Sequence, residues 1–363
     1  MKLTTIALLT LPMVNVGCSS NASIARVPTD GGPAGERDGG GGSSGPVCGD
    51  AGGQPVVLAS EQLNPVAIAV DSTSIYWTNN GQNGQQGSVM EVPLCGGTPV
   101  TLFPEVSWVL GIALNSTNVF WALAYAPFSV LTAPLGGGAP ITVAAEQPAA
   151  YLAADSTNVY WTDSSGTVKK APVGGGAVTT LASSQDPYGI ALDSDSVYWT
   201  NVGDFTGAIV KVPIGGGAIT TIASESNVSF GGSVAVDSTS VYWTVSSTHS
   251  STHADAGDLP SGSVMKAPKA GGTSTTLASD RPRPVAIAVD GISAYWIEGG
   301  PTCATPPCPG TVMKAPVGGG SAVTLASGQR QPSAIAVDST SVYWVAERTL
   351  GDDDSSIMKL TPK

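Results

Sequence analysis

Side chains able to carry catalysis are scarce in this sequence. Its only two histidines, His249 and His253, lie in the segment Thr-His-Ser-Ser-Thr-His-Ala-Asp. Together with Asp255 they have the residue types of a metal clip, although the Ser-rich surroundings favour a solvated loop. A Ser-His-Asp triad would need this same segment to supply its base. The Gly triplets, such as 174–176, precede strand-like sequence, so they lack the helix that follows a phosphate-binding loop.

Three other sets of residues have the chemistry of binding sites. The first is a set of aromatic residues near the starts of recurring apolar segments, which could stack on a sugar ring or a peptide or else pack between structural units: Trp108, Tyr151, Tyr188 and Phe230. The second is a set of acidic residues just before those segments, which could hold Ca²⁺ through oxygen ligands or form a solvated surface: Glu61, Glu105, Glu146, Asp186, Glu225 and Asp280. The solvated surface is the preferred interpretation, so we expect no bound cofactor and retain Ca²⁺ as the one candidate.

The third set consists of arginines. Four of the six arginines in the chain lie between residues 281 and 348: Arg281, Arg283, Arg330 and Arg348. A guanidinium group matches the geometry of a carboxylate or phosphate. These residues therefore form a candidate anion-binding patch, with pairing to the nearby acidic residues as the alternative.

The five cysteines indicate an oxidising compartment. If Cys18 is modified, four cysteines remain, an even number that suits two disulfides. Cys303 and Cys308 share a Pro-rich segment and are expected to pair. Cys48 and Cys95 would form the second bond, with free thiols as the alternative for each pair. No histidine lies near these cysteines in sequence, which disfavours zinc.

A repeat must position all of these residues. Its unit reads approximately P-x-x-I-A-V-D-S-T-S-V-Y-W-T, a variable stretch, and then G-x-V-x-K-x-P-x-G-G-G-x-x-T-T-L-A-S. A marker tryptophan occurs seven times, between 38 and 53 residues apart: Trp77, Trp121, Trp161, Trp199, Trp243, Trp296 and Trp344. Repeats of this length with no helical pattern are typical of β-propellers.

Each repeat predicts four strands, named A to D. The first unit illustrates them: an apolar strand A at 67–70, a turn at 71–74, an aromatic strand B at 75–77 and strand C at 88–93. A Gly-rich turn then leads to strand D, for which 178–182 of a later unit is an example. We therefore predict an all-β, seven-bladed propeller of four-stranded antiparallel blades over 55–363.

The seventh unit is divided between the two ends of the sequence. Residues 332–363 supply strands A, B and C, while Pro55-Val56-Val57-Leu58-Ala59-Ser60 resembles a strand D. We expect this N-terminal strand to complete the last blade, because that pairing covers an open sheet edge and closes the ring.

The repeats resemble the YWTD propellers of the low-density lipoprotein receptor class B type. The shared features are V-Y-W-T on strand B and V-x-K-x-P-x-G-G through strand C. Tyr160-Trp161-Thr162-Asp163 has the full motif, and Asn79 and Asn201 replace its Asp in two other units. That family usually has six blades, whereas this sequence has seven units. The resemblance implies architecture over 55–363, since one fold hosts many functions.

The first 54 residues have features of export and tethering. Met1-Lys2 and an apolar run too short to span a bilayer lead to Val16-Gly17-Cys18, which resembles a lipobox with Cys18 as the lipidated residue. Asn15 departs from that pattern, where Leu is usual, and an ordinary secretory signal is the alternative. By the sorting rule of bacterial lipoproteins, Ser19 and Ser20 after the lipidated cysteine indicate the outer membrane, on either its periplasmic side or the cell surface. Residues 19–54 are rich in Gly and Ser and predict a disordered tether.

The net charge of the protein and the variation among its loops restrict the class of function. The net charge of −12, with only 12% charged residues, disfavours nucleic acid. The predicted A–B and C–D turns are uniform, whereas the B–C and D–A loops diverge, most of all at 245–262 and 347–356. We predict a monomeric, non-catalytic scaffold that binds an envelope protein, peptide or glycan on the divergent face, with only the lipid touching the membrane. The alternative is a metal-dependent hydrolase or lyase whose site lies at the channel mouth.

Overall fold

The protein is described by a computed structural model that covers residues 52–81, 86–106, 108–123, 127–183, 185–203, 206–226, 228–247, 261–299, 309–347 and 355–363. Within these ranges the regular structure is entirely β-strand. No helix in the described ranges has the length and apolarity needed to cross a membrane.

The strands follow one another as seven sets of four. They are β1 Val56–Gln62; β2 Pro65–Val70, β3 Ser74–Asn79, β4 Gly87–Pro93 and β5 Val100–Val106 (blade 1); β6 Val109–Leu114, β7 Asn118–Leu123, β8 Ser129–Pro134 and β9 Ile141–Ala145 (blade 2); β10 Ala149–Ala154, β11 Asn158–Asp163, β12 Thr167–Pro172 and β13 Thr179–Ala182 (blade 3); β14 Pro187–Leu192, β15 Ser196–Gly203, β16 Thr206–Pro213 and β17 Thr220–Ser226 (blade 4); β18 Val228–Val236, β19 Ser240–Ser247, β20 Ser261–Pro268 and β21 Thr275–Pro282 (blade 5); β22 Pro284–Val289, β23 Ser293–Glu298, β24 Pro309–Pro316 and β25 Val323–Arg330 (blade 6); and β26 Pro332–Val337, β27 Val342–Ala346 and β28 Ser355–Leu360 (blade 7).

Each blade is an antiparallel sheet in the order A, B, C, D. The predicted seven-bladed propeller is confirmed. Strand β1 pairs with β28, with Val56 opposite Lys359, so the N-terminal strand completes blade 7 as predicted. The A strands of neighbouring blades contact one another around the centre of the ring.

The Tyr-Trp pair on strand B builds the core. Adjacent residues of a strand point to opposite faces of the sheet, so the two rings enter two different interfaces between blades. Tyr160 of blade 3 packs in one cluster with Trp199 of blade 4. Tyr343 of blade 7 packs with Trp77 of blade 1, which extends the same arrangement across the closure. Seven such clusters, one between each pair of neighbouring blades, hold the ring together.

In six of the seven blades, an aspartate of the A–B turn organises that turn and the strand after it. In blade 5 the Oδ1 atom of Asp237 accepts the amide N–H groups of Thr239 and Ser240, and Oδ2 accepts the Tyr242 hydroxyl at 2.6 Å. Equivalent Asp–Tyr bonds occur in blades 1, 3, 4, 6 and 7. Blade 2 has Asn115 and Phe120 at these two positions, so both partners differ together.

Lysines on strand C fasten neighbouring blades. In four blades the ammonium group donates to the backbone carbonyl of the residue that follows strand C in the next blade: Lys170 to Ile214, Lys211 to Lys269, Lys266 to Val317 and Lys359 to Leu94. The last of these bonds, 2.8 Å long, joins blade 7 to blade 1. Because it links residues distant in sequence, it strengthens the closure made by β1.

Candidate functional site

The propeller has two chemically different faces. We call the face with the A–B and C–D turns the uniform face, and the face with the B–C and D–A loops the loop-rich face. On the uniform face, repeated bonds occupy the main polar side chains, namely the turn aspartates and their tyrosines and four strand C lysines. A ligand on that face would compete with bonds that hold the fold.

The loop-rich face presents a different residue in each of six blades at one equivalent position. This position lies immediately before strand A, and we call its occupants the mouth residues: Asn64, Trp108, Pro148, Asp186, Arg283 and Gln331. In several blades the carbonyl group of the mouth residue accepts an N–H group from the end of strand B, as in Gly299 to Arg283 at 3.0 Å. The scaffold therefore fixes the backbone of these residues and leaves their side chains free to vary.

Four of the mouth residues have a left-handed backbone: Asn64 (φ 59°), Trp108 (φ 28°), Arg283 (φ 44°) and Gln331 (φ 34°). Asn tolerates this conformation better than most residues, whereas Trp and Arg gain nothing from it. The chain therefore places two large side chains where backbone conformation disfavours them.

The four aromatic candidates have different environments. Tyr151 is buried, and its ring centroid lies 4.6 Å from that of the half-buried Tyr188 in the next blade. This pair therefore contributes to packing between blades. Trp108 is 53% exposed on the loop-rich face. The backbone of Phe230 lies on β18, and its side chain lies outside the described residues.

Arg281 belongs to a structural network. Its Nε atom lies 2.5 Å from Oε1 of Glu298, a carboxylate that is only 2% exposed and that also accepts Trp296 Nε1 and the Thr311 hydroxyl. Where blade 7 meets blade 1, Gln62 of β1 holds the place of Arg281 and accepts Trp77 Nε1 at 2.9 Å. The Arg281–Glu298 pair is thus a charged version of a neutral link between blades.

Arg283 has different surroundings. It is exposed, and it forms no ion pair with any residue in the described ranges. Its guanidinium group lies against the backbone of Gly299, where a Cβ atom would come within 2.7 Å of Nη2. Glu347 is the charged neighbour. Burial raises the pKa of its carboxyl group, while the Ser333 hydroxyl and the Arg283 charge oppose that rise.

The remaining charged candidates differ in exposure, and some of them lie outside the described residues. Arg330 is half-buried on β25, and Arg348 lies outside the described residues. Glu61, Glu146, Asp186 and Asp280 are exposed, whereas the side chains of Glu105 and Glu225 lie outside the described part. No group of three or more His, Cys, Asp or Glu side chains within the described ranges is placed to hold a metal ion. His249, His253 and Asp255 fall beyond those ranges, so their metal site, the Ca²⁺ site and the hydrolase or lyase alternative stay predictions.

The acidic residue of the YWTD motif has a local structural role. Asp163 is buried and accepts the hydroxyl groups of Ser165 and Thr167, and Lys169 lies 2.9 Å from its Oδ2 atom. Burial by itself would raise the pKa of Asp163, but these hydrogen bonds and the Lys169 charge lower it overall. The motif therefore closes the B–C hairpin of blade 3.

Most of the cysteines cannot be placed. Cys95, on the C–D turn of blade 1, is disulfide-bonded. Cys18, Cys48, Cys303 and Cys308 lie outside the described residues, so both predicted pairings stay predictions, as does lipidation at Cys18.

Sequence reasoning missed Gly299, Glu298 and Glu347. Aligning the repeats on their tryptophans would have found Glu298, because it occupies the position of Asp163 and Asn79. The proximity of Glu347 to Arg283 joins two blades, and no pattern within one repeat indicates it.

Comparison with known proteins supports the fold alone. No protein family matches the sequence, and no curated protein matches it. Among solved structures, the Pan2 WD40 domain of Neurospora crassa covers 85% of this chain and 96% of its own, with 10% identity and a TM-score of 0.58. YCF48 from Cyanidioschyzon merolae covers 85% and 98%, with 12% identity and a TM-score of 0.56. A chain of a nidogen/laminin complex covers 64% and 88%, with 18% identity and a TM-score of 0.47. The chain therefore shares the propeller architecture of proteins that differ widely from it in sequence.

Proposed function

We propose that this protein is a non-catalytic binding propeller that recognises an envelope protein, peptide or glycan with the centre of its loop-rich face. The observation that carries the proposal is the contrast between the two faces. The uniform face uses its polar groups in bonds that repeat from blade to blade, while the mouth residues differ in six blades on equivalent backbone positions. Variation on a fixed scaffold is the arrangement that binding loops commonly have.

Trp108 and Arg283 are the strongest candidates for contact residues. Both are exposed, and both have a left-handed backbone at a position where blade 1 has Asn64. Tryptophan and arginine are also the residue types that contribute most to binding at protein interfaces. The left-handed backbone costs conformational energy at Trp108 and Arg283, and a role of these side chains in ligand binding would offset that cost.

We further propose that the protein is lipidated at Cys18 and held at the outer membrane. The described chain begins at the uniform face, where the amide of Gly53 donates to the carbonyl of Thr361, just beyond strand C of blade 7. A tether leaving from this face would leave the loop-rich face accessible to a partner. The test is metabolic labelling with a fatty acid: the wild type should carry label, and Cys18→Ser should carry none.

Capture from native envelope tests the binding face. The double variant Trp108→Asn and Arg283→Gln uses residue types that the chain already has at the mouth position, in Asn64 and Gln331. We expect it to retain its fold and to capture less than about one tenth of the wild-type amount of partner. Ile292→Thr is the matched control, because Ile292 is a 75% exposed apolar residue on the uniform face. Full capture by the double variant, or loss of capture by the control, would contradict the assignment of this face.

A further inference from the structure

Gly299 holds the Arg283 backbone and leaves space for its side chain. Its backbone is fixed by the bond from the Gly299 amide, and its guanidinium group lies in the space that a side chain at 299 would fill. Blade 3 has Ser164 and blade 7 has Glu347 at the position equivalent to Gly299. The glycine of blade 6 therefore makes room for the guanidinium group, which loses less freedom on binding than a mobile arginine would.

Arg281 and Arg283 differ in whether a carboxylate of the protein already binds the guanidinium group. The charge of Arg281 is matched by the buried carboxylate of Glu298 at 2.5 Å. Arg283, two residues later, has no such partner among the described residues and is exposed to solvent. An exposed guanidinium fork can form two parallel hydrogen bonds with a planar anion.

Glu347 restricts the kind of anion that fits. Its half-buried carboxyl group lies close enough to Arg283 for the two charges to interact. A dianionic phosphate would meet repulsion from an ionised Glu347 and from a chain of net charge −12. A carboxylate carries a single charge, and it can also accept a hydrogen bond from protonated Glu347.

We propose that Arg283, beside Glu347, binds a single carboxylate group at the centre of the loop-rich face, and that this group belongs to an aspartate or glutamate side chain in a peptide segment of the partner. The proposal rests on the binding function proposed above and names the chemistry of the ligand. Arg283 and Ser333 are the described groups that act on the Glu347 carboxyl. Ionised Glu347 competes with the ligand for Arg283, so affinity falls as the pH rises through the pKa of Glu347.

The experiment titrates the full-length protein with two blocked pentapeptides, Gly-Gly-Glu-Gly-Gly and Gly-Gly-Gln-Gly-Gly, and with inorganic phosphate. The readout is the NMR signal of each arginine Nε–H group, with the Arg283 signal assigned from Arg283→Gln. We expect the Glu peptide to shift this signal saturably at millimolar concentration, and the Gln peptide to leave it unchanged. A stronger response to phosphate, or an equal response to the two peptides, would overturn the proposal.

Three variants test the geometry. Gly299→Ala keeps every charge but puts a methyl group where the guanidinium lies, so the Glu peptide should bind several-fold more weakly. Arg283→Lys keeps the charge without the fork and should weaken binding roughly tenfold. Glu347→Gln should bind the peptide more tightly and remove the pH dependence of binding. Unchanged affinity in all three variants, each shown to be folded by its thermal transition, would refute the site.

The experiments distinguish an error in the carboxylate site from an error in the binding face. If the Glu peptide leaves Arg283 unaffected while the mouth-residue double variant still loses its envelope partner, the carboxylate site is wrong and the binding face stands. If the double variant captures its partner in full, the binding face is wrong whatever the peptide does.

Discussion

The Arg281–Glu298 pair allows a quantitative test of the structural role assigned to it. The Glu298 carboxylate is almost fully buried, so Arg281→Gln would leave its charge without an opposite charge. Breaking a buried pair in this way costs about 3–5 kcal/mol. The lower end applies here, because Trp296 Nε1 and the Thr311 hydroxyl continue to donate to the carboxylate. We therefore expect Arg281→Gln to lower the free energy of unfolding by about 3 kcal/mol.

The companion substitution supplies the control. Glu298→Asn by itself should cost about 1–2 kcal/mol, because the Trp296 indole loses its acceptor. The double variant recreates the neutral link between blades 7 and 1, in which Gln62 accepts both Trp77 Nε1 and Asn79 Nδ2. It should unfold within about 1 kcal/mol of the wild type, which gives a coupling energy of about 3–5 kcal/mol. The assay is equilibrium urea unfolding of all four proteins. Additive losses in the double variant would refute the equivalence of the two links.

The hydrogen bonds of the A–B turns and of strand C give further predictions. Tyr242→Phe removes the donor 2.6 Å from Asp237 and should cost about 1–2 kcal/mol by urea unfolding; no loss would show that this bond is dispensable. Lys359→Met keeps the apolar stem but loses the bond to Leu94, and the melting temperature should fall in proportion to about 1–2 kcal/mol. Burial raises the pKa of five aspartates, but hydrogen bonds outweigh it and lower the pKa overall: Asp155, Asp163, Asp193, Asp237 and Asp290. Their contribution is present above the unfolded pKa of about 4 and is lost as the pH falls through the lower folded values. Urea midpoints that stay constant from pH 7 to pH 3 would contradict this.

Much of the functional assignment depended on features that one repeat does not contain. Tyr151 and Tyr188 both had the residue type of a stacking site, yet one is buried and their rings pack together across two blades. Trp108 has the same residue type and remains exposed. The difference arises from the direction of each side chain relative to the neighbouring blade, and side-chain direction depends on the local backbone.

Local sequence patterns were sufficient to predict the architecture. Seven Tyr-Trp or Phe-Trp pairs, each on a strand B that is buried on both faces, set the number of blades and make every blade pack on both sides. The strand at 56–62 that completes blade 7 was also readable, because it matches the strand D of other units. These features are local patterns repeated along the chain, and each copy confirms the others.

Which polar residues a ligand can reach depends on how the blades pack against one another. Arg281 and Arg283 are two residues apart and chemically identical, but one meets a buried carboxylate and the other lies over a glycine backbone beside Glu347 of the next blade. Electrostatic and steric partners of this kind come from strands that are distant in sequence. Ring closure brings them together, so their effect on a side chain becomes visible only once the blades are packed.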